Sequence, residues 1–143
     1  MTKPSPPAAP GVRVLVLLAT LDIPFAAHAD CAMQGTYVRG PRSTPATLQV
    51  RQQGEHVTFG LEAYGPKMWD GNPTVGTLSG EMETAEAGCA AAHISEDEQC
   101  TIVVEFSPAT AHVHQFGRCL NFGAGVTASG TYRRQAARHR EGP

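Results

Sequence analysis

The sequence predicts an all-β fold: a small antiparallel up-and-down barrel of about eight strands, stapled by two disulfides. Apolar residues recur at every second position within short segments, and clusters of turn residues separate those segments. No segment keeps the 3.6-residue period of an amphipathic helix. Short antiparallel strands joined by tight turns are typical of a barrel or a sandwich, and eight strands close around an interior that side chains just fill.

Residues 1–29 are predicted to be a signal peptide. Lys3 and Arg13 make the start of the chain positive, an apolar run covers residues 14–21, and the sequence A-H-A at 27–29 has the small-x-small form that a signal peptidase cuts. The apolar run is much shorter than the roughly 20 residues that cross a bilayer, so we expect no membrane span. The protein is therefore expected in the periplasm or outside the cell.

The folded domain is predicted to cover residues 30–134, and a basic tail at 135–143 is expected to be disordered. The chain has 143 residues, with 11 Lys and Arg against 13 Asp and Glu. It lacks the basic excess of a protein that binds a phosphate backbone, so nucleic acid is not an expected partner. The sequence carries no signal for an oligomeric state.

The first half of the domain contains four predicted strands. The first strand lies at the start of the domain. The next two alternate apolar and polar residues around a turn at 53–55, which is typical of a hairpin with one solvent-exposed face. A loop rich in Gly and Pro at 65–73 leads to the fourth strand, where apolar residues and glycines share one face. These strands are Gly35–Arg39, 46–52, 57–63 and 75–83.

The second half contains four more predicted strands, at 90–95, Cys100–Phe106, 111–116 and 126–132. In the last of these, Val126, Ala128, Gly130 and Tyr132 share the inward face. Gly35–Arg39 and Gly130–Arg134 repeat the pattern G-T-Y-x-R. The repeat has three possible origins: chance, a shared chemistry of the two terminal strands, or duplication. Because it marks the first and the last strand, it favours closure of the barrel.

All four cysteines, Cys31, Cys89, Cys100 and Cys119, follow the export signal, and an even count there indicates two disulfides. A turn at 107–110 places Cys100 opposite Gly117, and one bulge at Gly117 brings Cys119 opposite Cys100. Directly opposed residues lie within disulfide range. This register favours Cys100–Cys119 and leaves Cys31–Cys89, although four cysteines allow three connectivities.

The same register predicts the best candidate for metal chemistry. His112 and His114 project from the outer face two residues apart, and Glu105 lies directly across from His112. Two imidazoles and a carboxylate can hold zinc or copper. The alternative is a solvated face with one cross-strand His–Glu pair. Nothing fixes a fourth ligand, so we expect no tightly bound metal and no cofactor.

Enzyme signatures are missing from the sequence. It contains no G-x-S-x-G elbow, no H-E-x-x-H and no Gly-rich loop that leads into a helix, so we expect no enzymatic activity. Residues 81–117 carry seven carboxylates and no Lys or Arg. This acidic stretch is either a solvated face or a docking surface for a cationic partner, because complementary potentials raise association rates.

The segment 119–132 contains a cysteine, a Phe-Gly turn and then A-x-G-x-Y, and a C-x-I-x-V-x-F strand, Cys100–Phe106, precedes it. This combination resembles small uncharacterised periplasmic β-proteins of Gram-negative bacteria. More distantly, it is similar to the periplasmic and membrane-bound inhibitors of c-type lysozyme, which are eight-stranded barrels with an inhibitory S-G-x-x-Y loop. Here S-G-x-Y at 129–132 has one residue fewer between Gly and Tyr, and the second motif of those inhibitors, with its lysine, is absent.

The resemblance implies that Ser129, Gly130 and Tyr132 belong to a binding surface, and that the partner is a cationic secreted protein such as lysozyme. Alternation along the strand predicts that Ser129 faces solvent, whereas Tyr132 faces the core and has a structural role. Three classes of function follow from the sequence. They are a secreted binding or inhibitory module, a metal-handling protein that uses His112 and His114, and an envelope protein without a catalytic site.

Overall fold

A computed structural model describes residues 31–40, 44–85, 89–97 and 99–137. The predicted signal peptide and residues 138–143 of the predicted tail lie outside this part of the chain. The described part contains eight strands and no helix. The strands are β1 Gly35–Arg39, β2 Ala46–Gln53, β3 His56–Lys67, β4 Pro73–Thr84, β5 Ala90–Ile94, β6 Cys100–Phe106, β7 Thr110–Gly117 and β8 Gly130–Arg134.

The strands form a closed antiparallel barrel in which each strand pairs with the next and β8 pairs with β1. The predicted fold class is therefore confirmed. Alternation explains the closure, because one face of each strand carries the apolar residues that fill the interior. The largest fully buried side chains include Tyr37, Tyr132, Leu48, Ile102, Val57, Val104 and Val113.

Both predicted disulfides are present. The β6–β7 register places Cys100 opposite Gly117, as the sequence predicts. Gly117 adopts φ 76°, which favours glycine, and the chain leaves β7 there as Arg118 N donates to Gln99 O. The Cα atoms of Cys100 and Cys119 are then 4.7 Å apart. The second bridge, Cys31–Cys89, joins Cα atoms 5.3 Å apart.

Two predicted boundaries are wrong. The loop predicted at 65–73 is shorter, because β3 continues to Lys67 and β4 begins at Pro73. A register shift between Tyr64 and Lys67 accommodates Pro66, which has no N–H to give to a regular ladder. The last strand begins at Gly130 rather than at residue 126, because side chains from other strands bind the backbone of residues 127–129 in place of a partner strand.

The loops before β2, β4, β6 and β8 lie at one end of the barrel, because consecutive strands are antiparallel. Residues 118–129, which we call the strap, cross this end. Phe122 of the strap bridges Gly76 on β4, and Thr74 Oγ1 donates to Ala124 O at 3.1 Å. We call this end the strap end and the other the opposite end. The Cys100–Cys119 bridge fixes the start of the strap.

Candidate functional site

A buried arginine anchors the end of the strap. The Arg39 side chain is 6% exposed and donates to Thr127 O at 3.0 Å and to Ser129 O at 2.7 Å. It also donates to Thr44 O at 2.7 Å, so one guanidinium ties β1 to the β1–β2 loop and to the strap. Charged donors make strong hydrogen bonds in a buried setting. This part of the strap is therefore held in one conformation.

Ser129, the central residue of the predicted binding surface, is exposed at the end of the strap. Its Oγ accepts the backbone N–H of Gln115 at 2.9 Å, and the Gln115 Oε1 accepts from Ala128 N at 2.8 Å. Because Ser129 Oγ acts as the acceptor in this bond, its own O–H can donate to a partner. Gly130 follows with φ 149°, and a Cβ at this position would stand 2.9 Å from Arg39 Cδ.

Tyr132 is fully buried, as alternation along the strand predicts. Its hydroxyl donates to Ala128 O at 2.7 Å, and the Arg39 guanidinium lies 5.6 Å from its ring centroid. Burial raises the pKa of Tyr132 to about 12, against the smaller opposing effect of Arg39. A direct contact between the Tyr132 ring and a partner is excluded in this conformation. Of the three residues that the resemblance assigns to binding, Ser129 is exposed, Gly130 leaves space for Arg39, and Tyr132 supports the strap from inside.

The candidate metal residues lie together on the outer face of β6 and β7, but their side chains do not converge. Glu105 lies opposite His112 in the register, as predicted. The carboxylate nevertheless contacts the diagonal residue, with His114 Nε2 3.7 Å from Glu105 Oε2, while His112 Nδ1 lies 3.1 Å from Thr131 Oγ1. Within the described ranges, no three His, Cys, Asp or Glu side chains are grouped so that they could hold a metal ion.

The strap end also carries apolar side chains that the sequence analysis did not assign to a site. All the large hydrophobic residues that are exposed in the described part of the chain lie in its loops, in the strap or where strands reach this end. Trp69, at the tip of the β3–β4 hairpin, is 95% exposed. The group, which we call the apolar rim, consists of Met68, Trp69, Val75, Ile94, Phe116 and Leu120. A tryptophan placed in a turn among Gly, Pro and Asp is the sequence signal that could have indicated this site.

The hairpin tip holds Trp69 in a defined turn. Met68 N donates to Asn72 O at 2.8 Å, and Gly71 N donates to Met68 O at 2.9 Å, with φ 82° at Gly71. The Asp70 carboxylate accepts from both the backbone and the side chain of Asn72, and these bonds lower the pKa of Asp70. The tryptophan is therefore presented to solvent beside a carboxylate that stays ionised at neutral pH.

The turn between β5 and β6 adds negative charge to the same end. Asp97 Oδ1 accepts from the Ser95 hydroxyl and from Gln99 N, and these bonds lower the pKa of Asp97. Glu96 beside it is also exposed. The strap end therefore combines an exposed tryptophan, further apolar side chains, an exposed serine and several carboxylates.

Comparison of the chain with models of protein families, with characterised proteins and with solved structures finds no match. No helix in the described part of the chain has the length and apolar character needed to cross a bilayer. The two disulfides leave no free cysteine among the described residues, and such bridges are typical of proteins of an oxidising compartment.

Proposed function

We propose that this protein is a secreted, periplasmic binding module that captures a cationic secreted protein at its strap end, with c-type lysozyme as the candidate partner. The observation that carries the proposal is the apolar rim: the large exposed hydrophobic residues of the described chain lie at one end of the barrel. Exposed apolar side chains grouped on one surface mark interaction sites, and tryptophan is among the residues that dominate binding energy. No catalytic step is part of this function.

The charges of the strap end support a cationic partner. Asp70, Glu96 and Asp97 lie in turns at the same end of the barrel as the rim, and local hydrogen bonds keep Asp70 and Asp97 ionised. An acidic surface steers a basic protein toward the site and raises the association rate. The partner would then be held by apolar contacts with Trp69 and its neighbours, which salt does not screen.

Ser129 supports lysozyme in particular. Lysozymes of the c-type are cationic and carry catalytic carboxylates in a cleft, and the resemblance to their inhibitors falls on this serine. Its hydroxyl belongs to an exposed residue, is available as a donor and is positioned by the backbone N–H of Gln115, while Arg39 holds the Ser129 carbonyl. A donor held in place loses little side-chain entropy when it binds a carboxylate. We therefore assign to Ser129 the contact with the cleft and to Trp69 the main apolar contact.

The proposal is tested by measuring the lysis of cell walls by c-type lysozyme at low salt. We expect micromolar protein to slow lysis, and Trp69→Ala and Ser129→Ala each to weaken inhibition about tenfold, as loss of a main contact or of a hydrogen bond to a charged group does. Raising the salt should weaken inhibition as the Debye length falls below about 10 Å.

The matched control is Ser107→Ala, which changes an exposed serine in the turn between β6 and β7, at the opposite end of the barrel. It should inhibit as the wild type does. If micromolar wild-type protein leaves the lysis rate unchanged, lysozyme is not the partner. If the protein inhibits but Trp69→Ala inhibits equally well, the strap end is not the binding surface.

A further inference from the structure

The barrel has an open stretch of strand edge along β4. On the side that faces β5, β4 pairs only at Glu83 and Thr84 among the described residues, and toward the strap end its next partner is Phe122, which bridges Gly76. Between these two points, no strand in the described ranges pairs with residues 77–82 on that side. An unpaired strand edge is a template for pairing with another chain.

The position of His93 shows which backbone groups of β4 face the opening. His93 Nδ1 lies 2.8 Å from Glu81 O, and because a carbonyl oxygen only accepts, Nδ1 carries the proton and donates. The Glu81 carbonyl therefore points across the gap to β5. Peptide groups two residues apart on a strand point the same way, so the N–H and C=O of Ser79 also face the opening. His93 closes one side of this window, and Phe122 closes the other.

A groove with strongly negative walls runs along the window. Its part near the strap end has a volume of about 540 Å³ and is lined by Glu81, Glu96 and Asp97, with Ser79 and Leu78 on the β4 side. On the other side of His93, a second cavity is lined by Glu55, Glu81 and Glu83. No Lys or Arg lies among the described residues that line either cavity. Carboxylates on both sides of an open strand edge favour a basic occupant.

We propose that a basic extended segment of the partner protein lies in this groove and pairs with β4 at Ser79. This proposal rests on the proposed function, because it names the part of a cationic partner that is bound. Ser79 N–H donates to a carbonyl of the segment, and Ser79 O accepts one of its N–H groups, as in strand addition. Lysine or arginine side chains beside this pair then lie close to Glu81, Glu96 and Asp97.

A second copy of this protein fits the window less well than a basic segment. Two copies paired through β4 would bring together two grooves that are each lined by Glu81, Glu96 and Asp97, and like charges repel each other. A basic segment removes this repulsion and gains charge-assisted contacts. The basic tail of this chain is the other candidate, and the test below includes it.

The probe is a ten-residue peptide of alternating Lys and Thr, and the control is the same peptide with Glu in place of Lys. In NMR spectra of the full chain, we expect the Lys peptide to shift the Ser79 amide resonance and to slow its hydrogen exchange by about tenfold, since hydrogen-bonded amides are protected. The Glu peptide should do neither. Equal effects of both peptides, or no change at Ser79, would overturn the proposal.

Three variants separate backbone pairing from charge. Ser79→Pro removes the N–H that faces the window and should lower the affinity for the Lys peptide about tenfold, while the β3–β4 ladder does not use that N–H. Glu81→Gln should lower the affinity about threefold, as loss of a partly exposed charge pair does. The matched control, Glu105→Gln, removes a carboxylate from the β6–β7 face and should have no effect.

If Ser79→Pro fails to fold, Glu81→Gln together with Glu96→Gln replaces it, and unchanged affinity in that double variant counts against the proposal.

A chain shortened after Ala137 tests the basic tail. Faster exchange of the Ser79 amide in the shortened chain without peptide would show that the tail is the occupant and would overturn the proposal. Binding of the Lys peptide without inhibition of lysozyme would support a basic segment in the groove and would show that lysozyme is not the partner. Inhibition that survives Ser79→Pro unchanged would support the strap end and reject the groove.

Discussion

Among the described residues, the β1–β8 and β4–β5 junctions, which we call seams, each contain two register pairs, yet their side-chain contacts differ. At the β1–β8 seam, Tyr37 faces Arg134 and Val38 faces Arg133. At the β4–β5 seam, Glu83 faces Ala92 and Thr84 faces Ala91. At the β1–β8 seam, arginine side chains pack on tyrosine rings. At the β4–β5 seam, His93 contacts Glu81 O, and the acidic groove lies beside this contact.

The repeated G-T-Y-x-R pattern reinforces the β1–β8 seam reciprocally. The Tyr37 hydroxyl donates to Met33 O, and the Tyr132 hydroxyl donates to Ala128 O, in each case four residues earlier. Each arginine then lies over the tyrosine of the other copy: Arg39 is 5.6 Å from the Tyr132 ring and Arg134 is 5.0 Å from the Tyr37 ring.

These reciprocal arginine–tyrosine contacts give the repeat a structural role. Cation–π contacts and buried hydrogen bonds hold two terminal strands together that share few ladder bonds. Of the explanations that the sequence leaves open, a shared chemistry of the terminal strands is the one that these contacts support. Side chains therefore hold the barrel together where its first and last strands meet, whereas β4 and β5 are weakly paired where a ligand is proposed to bind.

We expect Arg39→Ala to destabilise the β1–β8 seam more than any other substitution proposed here. We expect it to lower the free energy of unfolding by about 3 kcal/mol, because a buried charged donor and its bonds to Thr44, Thr127 and Ser129 are lost. Urea unfolding measures the loss. Arg39→Lys should recover only part of it, since an ammonium cannot reproduce the planar set of donors.

The control for Arg39→Ala is Arg51→Ala, which removes an exposed arginine from β2. Its effect should stay within about 0.5 kcal/mol, as for other surface substitutions. If the two variants lose the same stability, the buried guanidinium does not lock the seam, and the repeat has no role in closing the barrel.

A smaller effect on the same seam should follow from alkaline pH. Burial raises the pKa of Tyr132 from 10.0 to about 12, so the folded state keeps the phenol protonated when the unfolded state loses its proton. Stability from this group is complete below pH 10 and is lost as the pH rises from 10 to 12, by roughly 2 to 3 kcal/mol. Burial also raises the pKa of Tyr37, so its effect has the same sign.

Urea unfolding at a series of pH values measures this alkaline loss, and Tyr132→Phe is the matched variant. It lacks the titrating hydroxyl and its bond to Ala128 O, so it should be less stable at neutral pH but should lose less stability between pH 10 and 12. Parallel pH profiles for the two proteins would show that Tyr132 does not govern the alkaline response.

Much of the fold follows from the sequence because its causes are local. The β6–β7 register depends on one short turn and on alternation, which together predict that Cys100 faces Gly117 and lead to the correct disulfide. The start of the last strand depends on Arg39, about ninety residues away, whose guanidinium donates to the carbonyls of Thr127 and Ser129. Alternation at residues 126–129 predicts burial correctly, but it cannot report a side chain that replaces the strand partner.

Only part of the candidate site can be predicted from the sequence, because some of its features depend on contacts between residues far apart in the chain. Alternation predicts that Ser129 is exposed and that Tyr132 is buried, and both are found. The apolar rim and the open edge of β4 result from how separate loops and strands meet. Residues 75–83 alternate regularly, and nothing in that pattern indicates that β4 and β5 share only two register pairs in the described part of the chain. Trp69 carried the one local signal, as a large apolar residue in a turn.

The smallest predicted effect concerns the weakly paired seam and compares two strand glycines. The His93 ring packs against Phe59 at 5.0 Å between centroids, and a Cβ on Gly80 would stand 2.7 Å from His93 Cε1. Gly80→Ala should therefore displace the ring from Glu81 O and cost about 1 kcal/mol. Gly60, which pairs with Ser79 on the neighbouring strand, has open space around a Cβ, so Gly60→Ala should be neutral or slightly stabilising.

Hydrogen exchange measured alongside urea unfolding decides whether His93 is what holds the β4–β5 seam. Gly80→Ala and His93→Ala should each speed exchange of the Ala92 amide and leave that of the Val38 amide at the other seam unchanged, because local opening at one seam does not require global unfolding. The two substitutions remove the same contact, so their double variant should cost less than the sum of the single variants. Additive losses would mean that Gly80→Ala does not act through the ring of His93, and the proposed contact between the two residues would be wrong.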